Sequence, residues 1–250
     1  MAHVSSGCRY AVSLNTLYEL SVGLAGSTDE YFEQHQNRFT YLFQPGAVFL
    51  PIVGDYLRLK VFGFPIRMRH FSADKIEHWV RVMLAADSRQ DVMYGEVTLS
   101  RPGCRGREYG VDFELLKSQM AEGKAAHASR LDKLRRGELI RATPEQWADS
   151  VLRVIDVEAT DGRKTKVVEH LDAAFQYEVS LWNLAKNNLY DFSRHDSDWI
   201  DSQQLFYLCD PSLVLVTEDG NLKARVVGSS QENRVLLFRE FLRDGLKDVP

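Results

Sequence analysis

Four aspartates lie near the C-terminal end of the chain, on both sides of one short apolar run. Asp196, Asp198 and Asp201 come directly before a helical pattern of apolar residues, and Asp219 follows the run Leu213–Val216. Such a run is typical of a strand covered on both faces, and strands of an open α/β sheet end at the ligand crevice. Carboxylates gathered there repel one another unless a cation lies among them, and their oxygens suit Mg²⁺ or Mn²⁺. The pattern therefore predicts a divalent-metal site.

Each of these acids also has a purely structural interpretation. An Asp before a helix or in its first turn caps the helix or favours its dipole, which accounts for Asp196 and Asp198. The pair Asp219-Gly220 is an ordinary turn after a strand. Asp201 is the exception, because it falls inside the predicted helix where neither a cap nor a turn explains it.

Composition limits the class of protein. With 250 residues, 44% of them hydrophobic, the chain can bury a large core, and we predict one domain over 1–250 with a mainly helical insertion over 66–190. The formal charge of −4 gives no overall attraction for nucleic acid, so a polyanion would have to bind local basic patches. One such segment, 101–136, could be a basic surface for phosphates. It could equally be a mobile, solvent-exposed segment, because acids are interleaved with its Arg and Lys.

Cysteine spacing and apolar run length predict the compartment. The three cysteines lie far apart without a CxxC spacing, which indicates neither a disulfide framework nor a zinc site and fits a reducing environment. No apolar run approaches the length of a membrane span, so we expect no membrane partner and a cytoplasmic location.

Local signals predict the elements that would position the acids. Ser13 begins a helix that carries Glu19 and ends at Gly26, and Thr143 to Gln146 has the form of a capping box. That second helix would bury the stripe Trp147, Val151, Val154 and Ile155. The remaining predicted helices are a second one from Ser27 to Glu30 onwards, one starting at Ser72 or Asp74, one over 164–186 and a closing one over 239–242. A partly buried connection is predicted over 47–64, and strands are predicted over 224–227 and 235–238.

Two stretches together resemble the PIN-like nuclease family. They are YAVSLNTLYELSVGL, residues 10–24, and DSDWIDSQQLFYLCDPSLVLVTED, residues 196–219. Family members place a Glu on a helix after a strand, and much later an Asp-bearing helix that leads through a buried strand to Thr-x-Asp. By that likeness Glu19 matches the Glu, Asp201 or, one turn earlier, Asp198 matches the helix Asp, and Thr217 with Asp219 matches Thr-x-Asp. Asp201 is preferred to Asp198, because its distance to Thr217 resembles the family's usual spacing.

The resemblance implies a fold, an activity and partners. The fold is a three-layer α/β/α arrangement with a central, mainly parallel sheet, interrupted here by the helical insertion. The activity is Mg²⁺- or Mn²⁺-dependent hydrolysis of RNA phosphodiester bonds, with Glu19, Asp198, Asp201 and Asp219 as candidate metal ligands and Thr217 orienting a carboxylate or water. The implied partners are RNA and an antitoxin or another protein.

The chain departs from the family at its start. Family members first present a strand that ends in an Asp and lies near the centre of the sheet, but no acid precedes Glu19. We expect either a true start upstream of Met1 or a degenerate relative, a catalytically inactive PIN-like module that binds RNA or protein. A third interpretation is an unrelated helical α/β protein whose acids all form caps and turns.

Overall fold

Helices dominate the structure, a computed structural model that describes residues 11–40, 47–67, 80–81, 83–88, 113–138, 142–192 and 198–244. Its helices of at least six residues are α1 Leu14–Ala25, α2 Asp29–Thr40, α3 Val53–Phe62, α4 Phe113–Arg135, α5 Pro144–Val154, α6 Asp161–His170, α7 Asp172–Lys186, α8 Asp198–Leu205, α9 Gly220–Arg225 and α10 Phe238–Asp244. Its strands are β1 Ala11–Val12, β2 Val48–Phe49, β3 Leu215–Thr217 and β4 Val235–Leu237.

The described residues form two compact units. The N-terminal unit contains the described parts of 8–52 and 66–121, and the C-terminal unit contains those of 53–65 and 122–250. Each unit has its own two-stranded parallel sheet, β1 with β2 in the first and β3 with β4 in the second. The division of the chain into one domain with an insertion over 66–190 stays a prediction.

In the N-terminal unit, helix α1 begins and ends where the local signals predict. The Ser13 side chain accepts a hydrogen bond from the Thr16 amide at 3.1 Å, and Gly26 is the C-cap. The side chains of Leu14, Leu17 and Leu24 are fully buried. Because β1 runs directly into this helix, Glu19 lies about one and a half turns beyond the strand.

The C-terminal unit is built around helices α5 to α7. The predicted capping box at Thr143 is confirmed, since its hydroxyl accepts from the Gln146 amide and the Gln146 side chain accepts from the Thr143 amide. The aromatic rings of Trp147 and Phe175 lie 5.3 Å apart and join α5 to α7. The core of the unit includes the completely buried Leu152, Leu171, Tyr177 and Leu181.

Several local predictions were wrong. Val154 is 85% exposed, and Ala148 and Leu152 are buried on α5 in its place. The helix predicted over 164–186 is two helices, α6 and α7, which meet at Leu171. The segment 47–64, predicted as a partly buried connection, contains β2 and α3. Residues 224–227 are the end of α9 and a turn rather than a strand. The predicted start at Ser72 or Asp74 lies outside the described residues.

Strand β3 overlaps the predicted run Leu213–Val216 but begins at Leu215 and is less covered than expected. It pairs in parallel with β4, Val216 opposite Leu236, after a turn at Pro211 and Ser212. All five side chains from Leu213 to Thr217 are only half-buried, so the expectation of a strand covered on both faces was wrong. Helices α9 and α10 both contact the β3–β4 pair.

The fold class is mixed α/β with parallel strand pairing. The described residues contain two separate two-stranded sheets, and a single central sheet in a three-layer arrangement is not seen among them. None of the helices in the described ranges combines the length and apolar character that crossing a bilayer requires.

Candidate functional site

The acids that match the PIN-like pattern lie on two helices and in one loop. Asp198 and Asp201 are in the first turn of α8, Asp219 directly follows β3, and Glu19 is on α1. The first three belong to the C-terminal unit and Glu19 to the N-terminal unit. Three of the four acids therefore belong to one unit, on α8 and in the loop after β3.

Asp198 is buried and its carboxylate is already bound by protein groups. Its Oδ2 accepts a hydrogen bond from the guanidinium of Arg225 at 2.6 Å and another from the Tyr190 hydroxyl at 2.9 Å. The side chains of Asp198 and Arg225 are only 8% and 12% exposed, so this is a buried, charge-assisted ion pair. Removing either partner would leave the other charge uncompensated in the interior.

Two tyrosines complete a cage around Arg225. Its guanidinium carbon lies 5.3 Å from the centre of the Tyr177 ring and 5.9 Å from that of Tyr190. The same guanidinium donates to the Tyr177 hydroxyl at 3.0 Å. Burial and the negative charge of Asp198 raise the pKa of both phenols far above the ordinary value, so both stay neutral donors. We call Asp198, Arg225, Tyr177 and Tyr190 the Arg225 cage.

The loop after β3 has a local structural role. The carboxylate of Asp219 accepts from the Asn221 amide at 2.7 Å and so caps α9, and the Thr217 hydroxyl accepts from the Asp219 amide at 3.0 Å. Both side chains are half-buried. These bonds match the cap-and-turn interpretation of Asp219.

Asp201 and Glu19 differ in exposure. Asp201 is half-buried on α8, and its negative charge contributes to the raised pKa of Tyr177. Glu19 is exposed on α1. Asp196, the first acid of the predicted cluster, lies outside the described residues.

These side chains do not fit a divalent ion. Within the described ranges, no group of three or more His, Cys, Asp or Glu side chains could hold a metal. A metal also needs carboxylate oxygens free of stronger partners, whereas Asp198 binds a guanidinium and Asp219 binds an amide of its own helix. The described contacts of these side chains therefore provide no ligand set for Mg²⁺ or Mn²⁺.

Sequence reasoning missed a second polar cluster, centred on Asp210. Its carboxylate accepts from the Tyr56 hydroxyl at 2.8 Å, from Lys60 at 2.7 Å, and from the amide and hydroxyl of Ser212. Burial opposes ionisation of Asp210, but these hydrogen bonds outweigh it and hold its pKa well below the ordinary value. Burial and the neighbouring Asp210 charge raise the pKa of the Cys209 thiol to about 12. The cluster joins α3 to the turn before β3 and leaves Cys209 unreactive.

A third polar cluster surrounds Glu178 on α7. Its carboxylate pairs with Arg130 and lies 3.7 Å from Nδ1 of His127, both on α4. Nε2 of His127 is buried and has no hydrogen-bond partner in the described structure. Burial lowers the pKa of His127, the charge of Arg130 lowers it further, and the charge of Glu178 opposes the shift. No sequence signal indicated this cluster, because its members come from separate helices.

Comparison of the chain with protein-family models, with curated proteins and with solved structures found no match.

Proposed function

We propose that the chain is a PIN-like module that does not cleave RNA and that acts by binding another protein. The observation that carries the proposal is the buried pair between Asp198 and Arg225. A guanidinium there neutralises Asp198, the residue that the family pattern offers as the alternative to Asp201 for binding a metal. Metal binding at Asp198 would have to displace Arg225, and breaking a buried ion pair costs about 3–5 kcal/mol.

The strand pairing supports the PIN-like part of the proposal. The resemblance implies a mainly parallel sheet. The pairs β1–β2 and β3–β4 are both parallel, and each belongs to a different one of the two units.

Surface chemistry favours protein over RNA as the partner. RNA binding requires Lys and Arg side chains that can exchange counterions for phosphates. Many basic side chains of the C-terminal unit instead pair with carboxylates, namely Lys60, Arg130, Arg135, Arg136, Arg153, Arg163, Lys164, Lys223 and Arg225. Large apolar side chains are exposed on the same unit, including Val154, Leu189 and Val227, and their burial would favour contact with a protein over contact with phosphates.

Two measurements on the full chain test the absence of catalysis. Calorimetric titration with Mn²⁺ should show no binding, and a fluorescent single-stranded RNA should stay intact with Mn²⁺ or Mg²⁺ present. Cleavage that requires the metal and is lost in Asp201→Asn or Asp219→Asn would refute the proposal and support the ribonuclease hypothesis.

The choice of partner needs a separate experiment. Fluorescence anisotropy of the same RNA at low salt should show no saturable binding by the wild-type chain. A titration that saturates, and weakens steeply as salt is added, would identify RNA as the partner. Lys133→Glu on α4 would then distinguish a basic surface on that helix from a site elsewhere.

A further inference from the structure

Helix α4 carries a buried histidine on its packed face. The side chain of His127 is 4% exposed, its ring lies 5.4 Å from that of Phe192, and its Nδ1 lies 3.7 Å from Oε1 of Glu178. Its Nε2 is buried and has no hydrogen-bond partner in the described structure. A neutral imidazole suits this position because Nε2 can carry the lone pair, whereas an imidazolium would hold a buried Nε2–H without an acceptor.

The charges around His127 are balanced while it is neutral. Among the described residues, the charged groups that act on it are Arg130 of its own helix, Glu178 of α7 and Asp198 of α8. Glu178 pairs with Arg130, and Asp198 pairs with Arg225 of α9. Because each carboxylate already has a guanidinium partner, a proton on His127 would add an uncompensated positive charge to the interior.

The same face of α4 contacts both α7 and α8. Gly123, His127 and Arg130 share this face, since they are spaced four and three residues apart on one helix. Trp199 of α8 packs against Gly123 so closely that a Cβ atom there would overlap its ring. The guanidinium of Arg130 lies 5.2 Å from the centre of the Trp182 ring on α7. His127 therefore lies between the two contacts that hold α4 in place.

Helix α4 is less closely packed than the other long helices of the C-terminal unit. Among the described elements, close approaches of main chains join α5 to α6 and join α6, α8 and α9 to α7, and α4 makes none of comparable extent. Its attachment therefore depends on side chains of one face. An element held in this way can open locally at a lower free energy than the whole unit unfolds.

We propose that α4 opens from α7 and α8 as a local unit, and that a proton on His127 favours this opening. In the opened state the imidazole is in water and has its ordinary pKa of 6.5, whereas burial lowers the pKa of His127 in the docked state. The opened state therefore gains population as the pH falls through 6.5 towards the lower docked pKa. Opening uncovers Leu131, Leu134 and Trp182, which are buried while α4 is docked. The inference does not depend on whether the chain binds a protein or cleaves RNA.

Hydrogen exchange of the full chain tests the local opening. Protection of 122–135, the part of α4 in the C-terminal unit, should be lower than that of α5. Low concentrations of urea should accelerate the exchange of α5 and leave that of 122–135 nearly unchanged, because a local opening exposes little surface. Equal protection and equal urea dependence of the two segments would overturn the inference, since α4 would then open only with the whole unit.

The pH dependence of the same exchange tests the role of His127. After correction for the intrinsic rate at each pH, protection of 122–135 should fall several-fold, and at most about tenfold, between about pH 7.5 and about pH 5.5, because one proton is linked to the opening. His127→Gln should abolish this fall, since glutamine takes up no proton. His170→Gln, on α6 of the same unit, is the matched control and should keep it. A fall of the same size in His127→Gln would overturn the inference, as would no fall in the wild-type chain.

Discussion

The guanidinium of Arg225 lies 2.6 Å from Oδ2 of Asp198, although the two residues are 27 positions apart. The contact joins the end of α9 to the start of α8, with the rings of Tyr177 and Tyr190 beside the cation. Because both charges are buried, removing one side chain would leave the other as an uncompensated charge in the interior. The Arg225 cage therefore holds the helix after β3 against the rest of the C-terminal unit.

Replacing Arg225 tests how much this ion pair contributes to the free energy of unfolding. We expect Arg225→Gln to lower the free energy of unfolding by about 3–5 kcal/mol, because it leaves the Asp198 carboxylate buried without a counter-charge. Urea unfolding followed by circular dichroism measures the loss. Lys223→Gln is the control on the same helix, since the pair of Lys223 with Glu240 is partly exposed and should contribute much less to stability.

The double variant Asp198→Asn/Arg225→Gln tests whether the two side chains are energetically coupled. Removing both charges avoids an uncompensated buried ion, so the double variant should be less destabilised than the sum of the two single variants. Strict additivity would show that the two side chains are not coupled.

Substitutions of Asp219 separate a cap from a metal ligand. Asn caps helices as well as Asp does, so Asp219→Asn should keep the stability of the chain, whereas Asp219→Ala should lose about 1 kcal/mol. Thermal unfolding of the two variants measures the difference. Equal loss of stability in both would contradict the capping role.

The first residues of helices α1 and α5 could be predicted from the sequence, because helix N-caps depend only on neighbouring residues. Ser13 and Thr143 each bond to an amide three residues away, so their roles follow from the adjacent sequence. The break between α6 and α7 at Leu171 has no Gly or Pro to mark it. Val154 was placed in a buried stripe because it is apolar, although its side of α5 faces solvent.

The candidate site depends on contacts that no local pattern contains. The residues that bind Asp198 come from α9 and from the segment after α7, and those that bind Asp210 come mainly from α3. Sequence therefore identified the acids but not their partners. The mixed α/β class with parallel pairing is confirmed, and the three-layer arrangement stays a prediction.

Tyr56 stabilises the ionised form of Asp210. Replacing it with Phe keeps the ring that packs against Tyr207, 5.2 Å away, and removes only the hydroxyl. We expect Tyr56→Phe to cost about 1 kcal/mol at neutral pH and to raise the pKa of Asp210, which carbon-detected NMR can follow. Since the folded pKa of Asp210 is depressed, its contribution to stability is present above the unfolded value near 3.8 and is lost as the pH falls below it. An unchanged pKa would contradict the hydrogen bond.

His127 makes the C-terminal unit sensitive to mild acid. Burial lowers its pKa below the unfolded value of 6.5, with Arg130 on the same helix, Glu178 on α7 and Asp198 on α8 as the charges around it. The unfolded chain therefore binds a proton more readily, and stability falls as the pH drops through 6.5 towards the lower folded pKa.

A neutral replacement should remove this part of the pH dependence. We expect His127→Gln to flatten the decline in unfolding free energy between about pH 7.5 and pH 5.5, even if the variant is less stable at every pH, because glutamine takes up no proton on unfolding. Urea unfolding at a series of pH values measures the slope, and His35→Gln in the N-terminal unit is the control. If the slope is the same in His127→Gln as in the wild type, the buried imidazole is not its source.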